Sequence, residues 1–126
     1  GCVRFSYVRP GSHTPRRYRC QPDLSVAAAI ELAEQRNPGL TALERQQIRN
    51  SLELSMVPSF VSERFGQPSY AQLRLSVPQP IHTGAEDGSE MGVYCHLKQH
   101  QRLDNLRLRL EEYLPFGLTA GTIVMT

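Results

Sequence analysis

The stretch Arg19-Cys20-Gln21-Pro22-Asp23-Leu24-Ser25-Val26-Ala27-Ala28-Ala29-Ile30 constrains the fold more than any other, because it reads as a strand turning abruptly into a capped helix. Pro22 has no amide to give a ladder, so the strand ends at Cys20. Ser25 carries an oxygen that can accept from the first free amides of the helix. Val26, Ala29, Ile30 and Ala33 follow at helical spacing and define one apolar face. This helix is expected to run from Val26 to Arg36 and to stop at Asn37-Pro38-Gly39, three breakers in a row.

Upstream, Val3, Phe5 and Tyr7 alternate with Arg4, Ser6 and Val8, the period of a half-buried strand. Pro10-Gly11-Ser12-His13 reads as a turn, and Arg16 to Cys20 as a second strand, antiparallel to the first. Tyr18 and Cys20 then face inward, and Arg4, Arg17 and Arg19 face outward together. Downstream, Thr41-Ala42-Leu43-Glu44 is a capping box that opens a second helix to about Met56. A short helical turn is expected within 58–65, a third strand over Tyr70–Val77 and a fourth over Gly92–Leu97. Residues 78–92 read as a polar loop and the best candidate for a linker. His100–Tyr113 is a strongly periodic helix, with Leu103, Leu106, Leu110 and Tyr113 on one face. Thr119–Thr126 is the expected closing strand.

The chain has 126 residues, 40% apolar and 21% charged, which suits one globular α+β domain over 1–126 with its own core. The net charge of +2 is too small to imply a nucleic-acid binder from totals alone. All 14 basic residues except Lys98 are arginines, suited to planar contacts with carboxylates or phosphates. No run approaches the length of a membrane span, and no signal peptide is evident. Cys2, Cys20 and Cys95 are an odd set without paired spacing, which points to reduced thiols and an intracellular, cytoplasmic setting. An antiparallel hairpin would also bring Cys2 and Cys20 within reach of a disulfide, against which two buried thiols are preferred.

The order strand, turn, strand, proline, cap and helix over residues 2–39 resembles the ubiquitin-like family. The tail from Leu114 to Met125 looks like that family's last turn and final strand. The resemblance implies a β-grasp, a mixed sheet wrapped on one helix, with extra helices inserted at about 40–66. It also implies a domain that presents its sheet to a partner. A conjugated modifier would need a Gly-Gly tail, and this chain ends in Val-Met-Thr. A narrower similarity is to Phox-and-Bem heterodimerisation domains, whose basic strands and acidic loop are matched by Arg4, Arg16, Arg17 and Arg19 and, loosely, by Glu86, Asp87, Gly88 and Glu90.

The expected function is therefore non-catalytic protein–protein interaction. The basic face of Arg4, Arg16, Arg17 and Arg19 would take an acidic partner, since clustered like charges on a sheet cost stability unless something neutralises them. The loop of Glu86, Asp87 and Glu90 could complement that face on another copy, giving head-to-tail assembly. The alternative is nucleic-acid binding through the same arginines with Arg102, Arg107 and Arg109, although few aromatics are free to stack on bases. A zinc site from Cys95, His96 and His100 lacks a fourth ligand, and the acidic loop lacks the alternating oxygens of a calcium loop. A Cys95 or Cys20 nucleophile has no histidine placed beside it by the sequence. No cofactor, metal or catalytic residue is assigned.

Overall fold

A computed structural model describes residues 1–123. It is a mixed α/β structure with four α-helices and one two-stranded parallel sheet. The elements in chain order are β1 (Cys2–Arg4), β2 (Arg16–Tyr18), α1 (Asp23–Arg36), α2 (Ala42–Ser55), α3 (Gln79–His82), a 3-10 turn (Cys95–Leu97) and α4 (Gln99–Tyr113). No helix is long and apolar enough to cross a membrane among the described residues.

The opening strands pair in parallel, not as the expected antiparallel hairpin. Cys2 lies opposite Arg16, Val3 opposite Arg17 and Arg4 opposite Tyr18. The eleven residues between them are long enough for a crossover. Pro10-Gly11 reverses within that crossover and closes on itself, Ser12 N–H donating to Arg9 O at 3.1 Å. The same register continues to a bridge between Tyr7 and Gln21. At the intervening register positions, Phe5 and Arg19 both take left-handed backbone, φ 46° and 49°. That matched kink breaks the alternation expected of β2. Tyr18 is exposed instead of turned inward, whereas Cys20 is buried with its thiol 3.4 Å from Val3 O. Cys2 sits opposite Arg16, so no disulfide joins it to Cys20, and all three cysteines are free thiols.

Helix α1 begins three residues earlier than expected, and its capping group differs. Pro22 holds the N-cap position without a side-chain bond. The Gln21 carboxamide oxygen accepts from the Ser25 amide at 3.3 Å and its hydroxyl at 2.8 Å, so Ser25 is capped rather than capping. Val26 is buried and Ala29, Ile30 and Ala33 are half-buried, as the helical period requires. The Thr41 capping box of α2 forms: Thr41 N–H and O–H both donate to Glu44 at 2.7 Å, and Glu44 N–H donates to Thr41 Oγ1 at 3.3 Å. α2 packs beside α1, and Arg45 reaches Glu34 at 3.0 Å across that contact.

The centre of the core is Met56, Leu73, Val77 and Ile81, with Tyr7, Phe60 and Met91 packed on it. Met56 stands at the expected end of the second helix, and the others come from segments expected to be strand, turn and loop. Residues 70–77 make only isolated bridges, Phe60 to Leu73 and Ser62 to Tyr70, because Ala71 has φ 59° and Pro78 ends the run. The turn expected within 58–65 is extended chain bonded to 70–74, with Val61 N–H donating to Gln72 O at 2.8 Å. The 78–92 segment is not a linker: it forms α3 and buries Ile81, His82, Ser89 and Glu90. Gly84 is needed there, since a Cβ would collide with the Pro80 carbonyl and the Met91 side chain. Cys95–Leu97 is a 3-10 turn where a strand was expected. Residues 119–123 form no strand, and the rest of the expected closing strand, 124–126, lies outside the described residues.

Candidate functional site

The four arginines of the expected basic face divide into two pairs. Arg4 lies over the Phe5 and Tyr18 rings, 5.5 and 5.3 Å from their centroids, and reaches Glu86 at 3.6 Å. Arg17 donates to Thr14 Oγ1 at 2.8 Å, to Ser12 O at 2.7 Å and to Asp23 at 3.1 Å. Its guanidinium thereby ties the crossover and β2 to the first turn of α1, where an acidic residue also suits the helix dipole. Arg16 and Arg19 are exposed and, among the described residues, hold no acidic partner. The expected uniform patch is therefore half neutralised within the chain.

The acidic loop divides as well. Glu86 faces Arg4. Asp87 accepts from the Ser89 amide and hydroxyl and lies 3.5 Å from Lys98. The Ser89 bonds, with help from Lys98, hold the Asp87 carboxyl below its ordinary range. Glu90 turns inward, 4% exposed, and is not part of a surface patch. Its Oε2 lies 3.7 Å from His100 Nε2.

The inward turn of Glu90 builds a polar cluster that the sequence did not announce. His82 ends α3, His100 stands in the first turn of α4, and their rings meet edge to face with centroids 3.6 Å apart. His82 Nε2 is 3.0 Å from Leu75 O. A carbonyl only accepts, so Nε2 carries a proton. His82 Nδ1 and Glu90 Oε1 are both buried without a partner. Burial pushes the Glu90 carboxyl up, against the pull of His82. Burial, and then His82, push the His100 imidazole down, opposed by Asp104. A cleft of about 520 Å³ opens on Glu90 and His100, walled by Val61, Leu73, Leu97 and Leu103. Tyr94, whose hydroxyl donates to Tyr70 O at 2.9 Å, stands at its edge.

His82 lies in the segment read as a solvated loop, so its pairing with His100 had no signal at the sequence level. His96 stacks loosely on Tyr94 and stays exposed, apart from His100. No group of three or more His, Cys, Asp or Glu side chains is arranged to hold a metal among the described residues. Compared with protein-family models, with curated proteins and with solved structures, the chain matches none.

Proposed function

We propose that this chain is a non-catalytic interaction module for an acidic protein partner, with α4 as the principal surface. The observation that carries this reading is the unburied apolar row of α4. Leu103, Leu106, Leu110 and Tyr113 repeat at intervals of three and four, the seam of a helix that packs against another helix. Yet α4 has no buried residue, and Leu106 is 46% and Tyr113 79% exposed. Arg102, Arg107 and Arg109 occupy the positions flanking that seam. Arg107 and Arg109 make only exposed contacts one turn along the helix, to Asp104 at 3.7 Å and Glu112 at 3.5 Å. Such pairs are worth a few tenths of a kcal/mol, so a partner can displace them. A second copy of α4 would bring arginine against arginine in either orientation, whereas an acidic amphipathic helix would complement both row and flanks.

Arg16 and Arg19 of the β edge add exposed positive charge to the same reading. The β-grasp assignment keeps as support the order β1, β2, α1 with Cys20 and Val26 buried at the joint. The intracellular, cytoplasmic setting keeps the three free thiols.

The test is fluorescence anisotropy with two synthetic helical peptides that share a leucine seam and differ in glutamate or lysine flanks. The glutamate peptide should bind, weaken as salt rises, and be lost on reversing Arg102 and Arg109 to glutamate. Equal binding of both peptides, or of neither, overturns the reading. Tighter binding of a single-stranded oligonucleotide than of the glutamate peptide would favour the nucleic-acid alternative.

A further inference from the structure

We propose that the Glu90 cleft is a binding site for a small organic cation, an ammonium or amidinium head on an apolar body. The inference is separate from the docking role of α4. It starts from a chemical imbalance: among the described residues, Glu90 Oε1 and Gln101 Oε1 are buried acceptors without partners. Buried polar groups are otherwise nearly always paired, because an orphan forfeits its hydration without return. Glu90 Oε1 therefore has a bond to accept and no donor within reach. The 3.7 Å approach of His100 is too long for a hydrogen bond, so that imidazole does not supply the donor.

A ligand that satisfies the Glu90 carboxylate best brings it an N–H donor together with a positive charge, which an ammonium or amidinium does and a neutral alcohol does not. The rest of the cleft sets the remainder of the ligand. Its lining sets Val61, Leu73, Leu97 and Leu103 beside the polar Gln72, Arg74 and Gln99, and about 520 Å³ suits a body of one or two rings. The Glu90 carboxylate argues against an anion, whose oxygens would add acceptors beside Oε1.

The test is a titration of the full chain with benzylamine and with benzyl alcohol, followed by amide chemical shifts at neutral pH. Benzylamine should give saturable shifts at Tyr94, Leu97 and Leu103, and benzyl alcohol none at the same concentrations. Glu90→Gln should weaken benzylamine by about tenfold or more, the loss of one charge-assisted contact. Leu97→Trp, which fills the cleft from its rim without touching Glu90, should block binding and keeps the test decisive if the Glu90 variant unfolds. Shifts that never saturate, equal binding of the alcohol, or full affinity in both variants would overturn the proposal.

Discussion

Arg4 and Glu86 meet at 3.6 Å within one chain, joining the two charged segments that the sequence offered to different molecules. Both side chains are more than half exposed, so the ion pair contributes at most about 1 kcal/mol, and salt weakens it. Arg4 also covers the faces of Phe5 and Tyr18, a contact that Glu86 does not share. Glu86→Gln should therefore cost less than about 0.5 kcal/mol in urea unfolding, and Arg4→Ala roughly 1 kcal/mol. The Arg4 loss should persist in high salt, where the Glu86 loss vanishes. Equal costs with equal salt dependence would show that the rings add nothing.

Ile81 is fully buried at the centre of a small core, and its neighbours Leu73 and Val77 are nearly so. Ile81→Ala removes three carbons where the surroundings are already packed, at a cost of about 2–5 kcal/mol. Leu54→Ala, on an 81% exposed side chain of α2, should stay within about 0.5 kcal/mol. Chemical denaturation of the two variants distinguishes this core from one centred on the α1–α2 pair.

The three long helices, α1, α2 and α4, were legible in the sequence because their signals are local, whereas the single turn of α3 was read as loop. The capping box of Thr41 and Glu44, the breakers after Arg36, and the leucine period of α4 each act within one or two turns. The sheet was not legible, because its decisive residues carry no type signal. Phe5 and Arg19 are ordinary strand formers whose left-handed backbone is set by the pairing itself. The direction of pairing depends on where an eleven-residue crossover goes, which alternation cannot report. The charged candidates failed as patches for a related reason: Glu86, Asp87 and Glu90 are close in sequence, but the turn around Ser89 sends them to three different partners. Composition marks a loop as acidic; only the fold decides which carboxylate is buried.

Thiol accessibility follows from the parallel register. Cys2 is exposed, Cys95 half-buried, and Cys20 buried with its thiol directed at backbone carbonyls. Timed maleimide labelling with mass spectrometry should modify Cys2 first and Cys20 last, with three labels in denaturant. A chain that takes only one label when unfolded would contain a Cys2–Cys20 disulfide, which the register forbids.

The burial of His100 and Glu90 gives stability two opposed pH dependences. Burial lowers the His100 pKa from 6.5, so between the folded value and 6.5 the unfolded chain binds more protons. The His100 contribution is therefore present above about 6.5 and is lost as pH falls through the folded value. Burial raises the Glu90 pKa from 4.5, so between 4.5 and the folded value the folded chain binds more protons. That contribution is present below 4.5 and is lost as pH rises through the folded value. Replacing His100 with Asn should flatten the decline in urea midpoint on acidification below 6.5. Replacing Glu90 with Gln should remove the decline on raising pH above 4.5, leaving the His100 slope in place. If both variants keep the parent profile, the two groups do not titrate in the buried setting described.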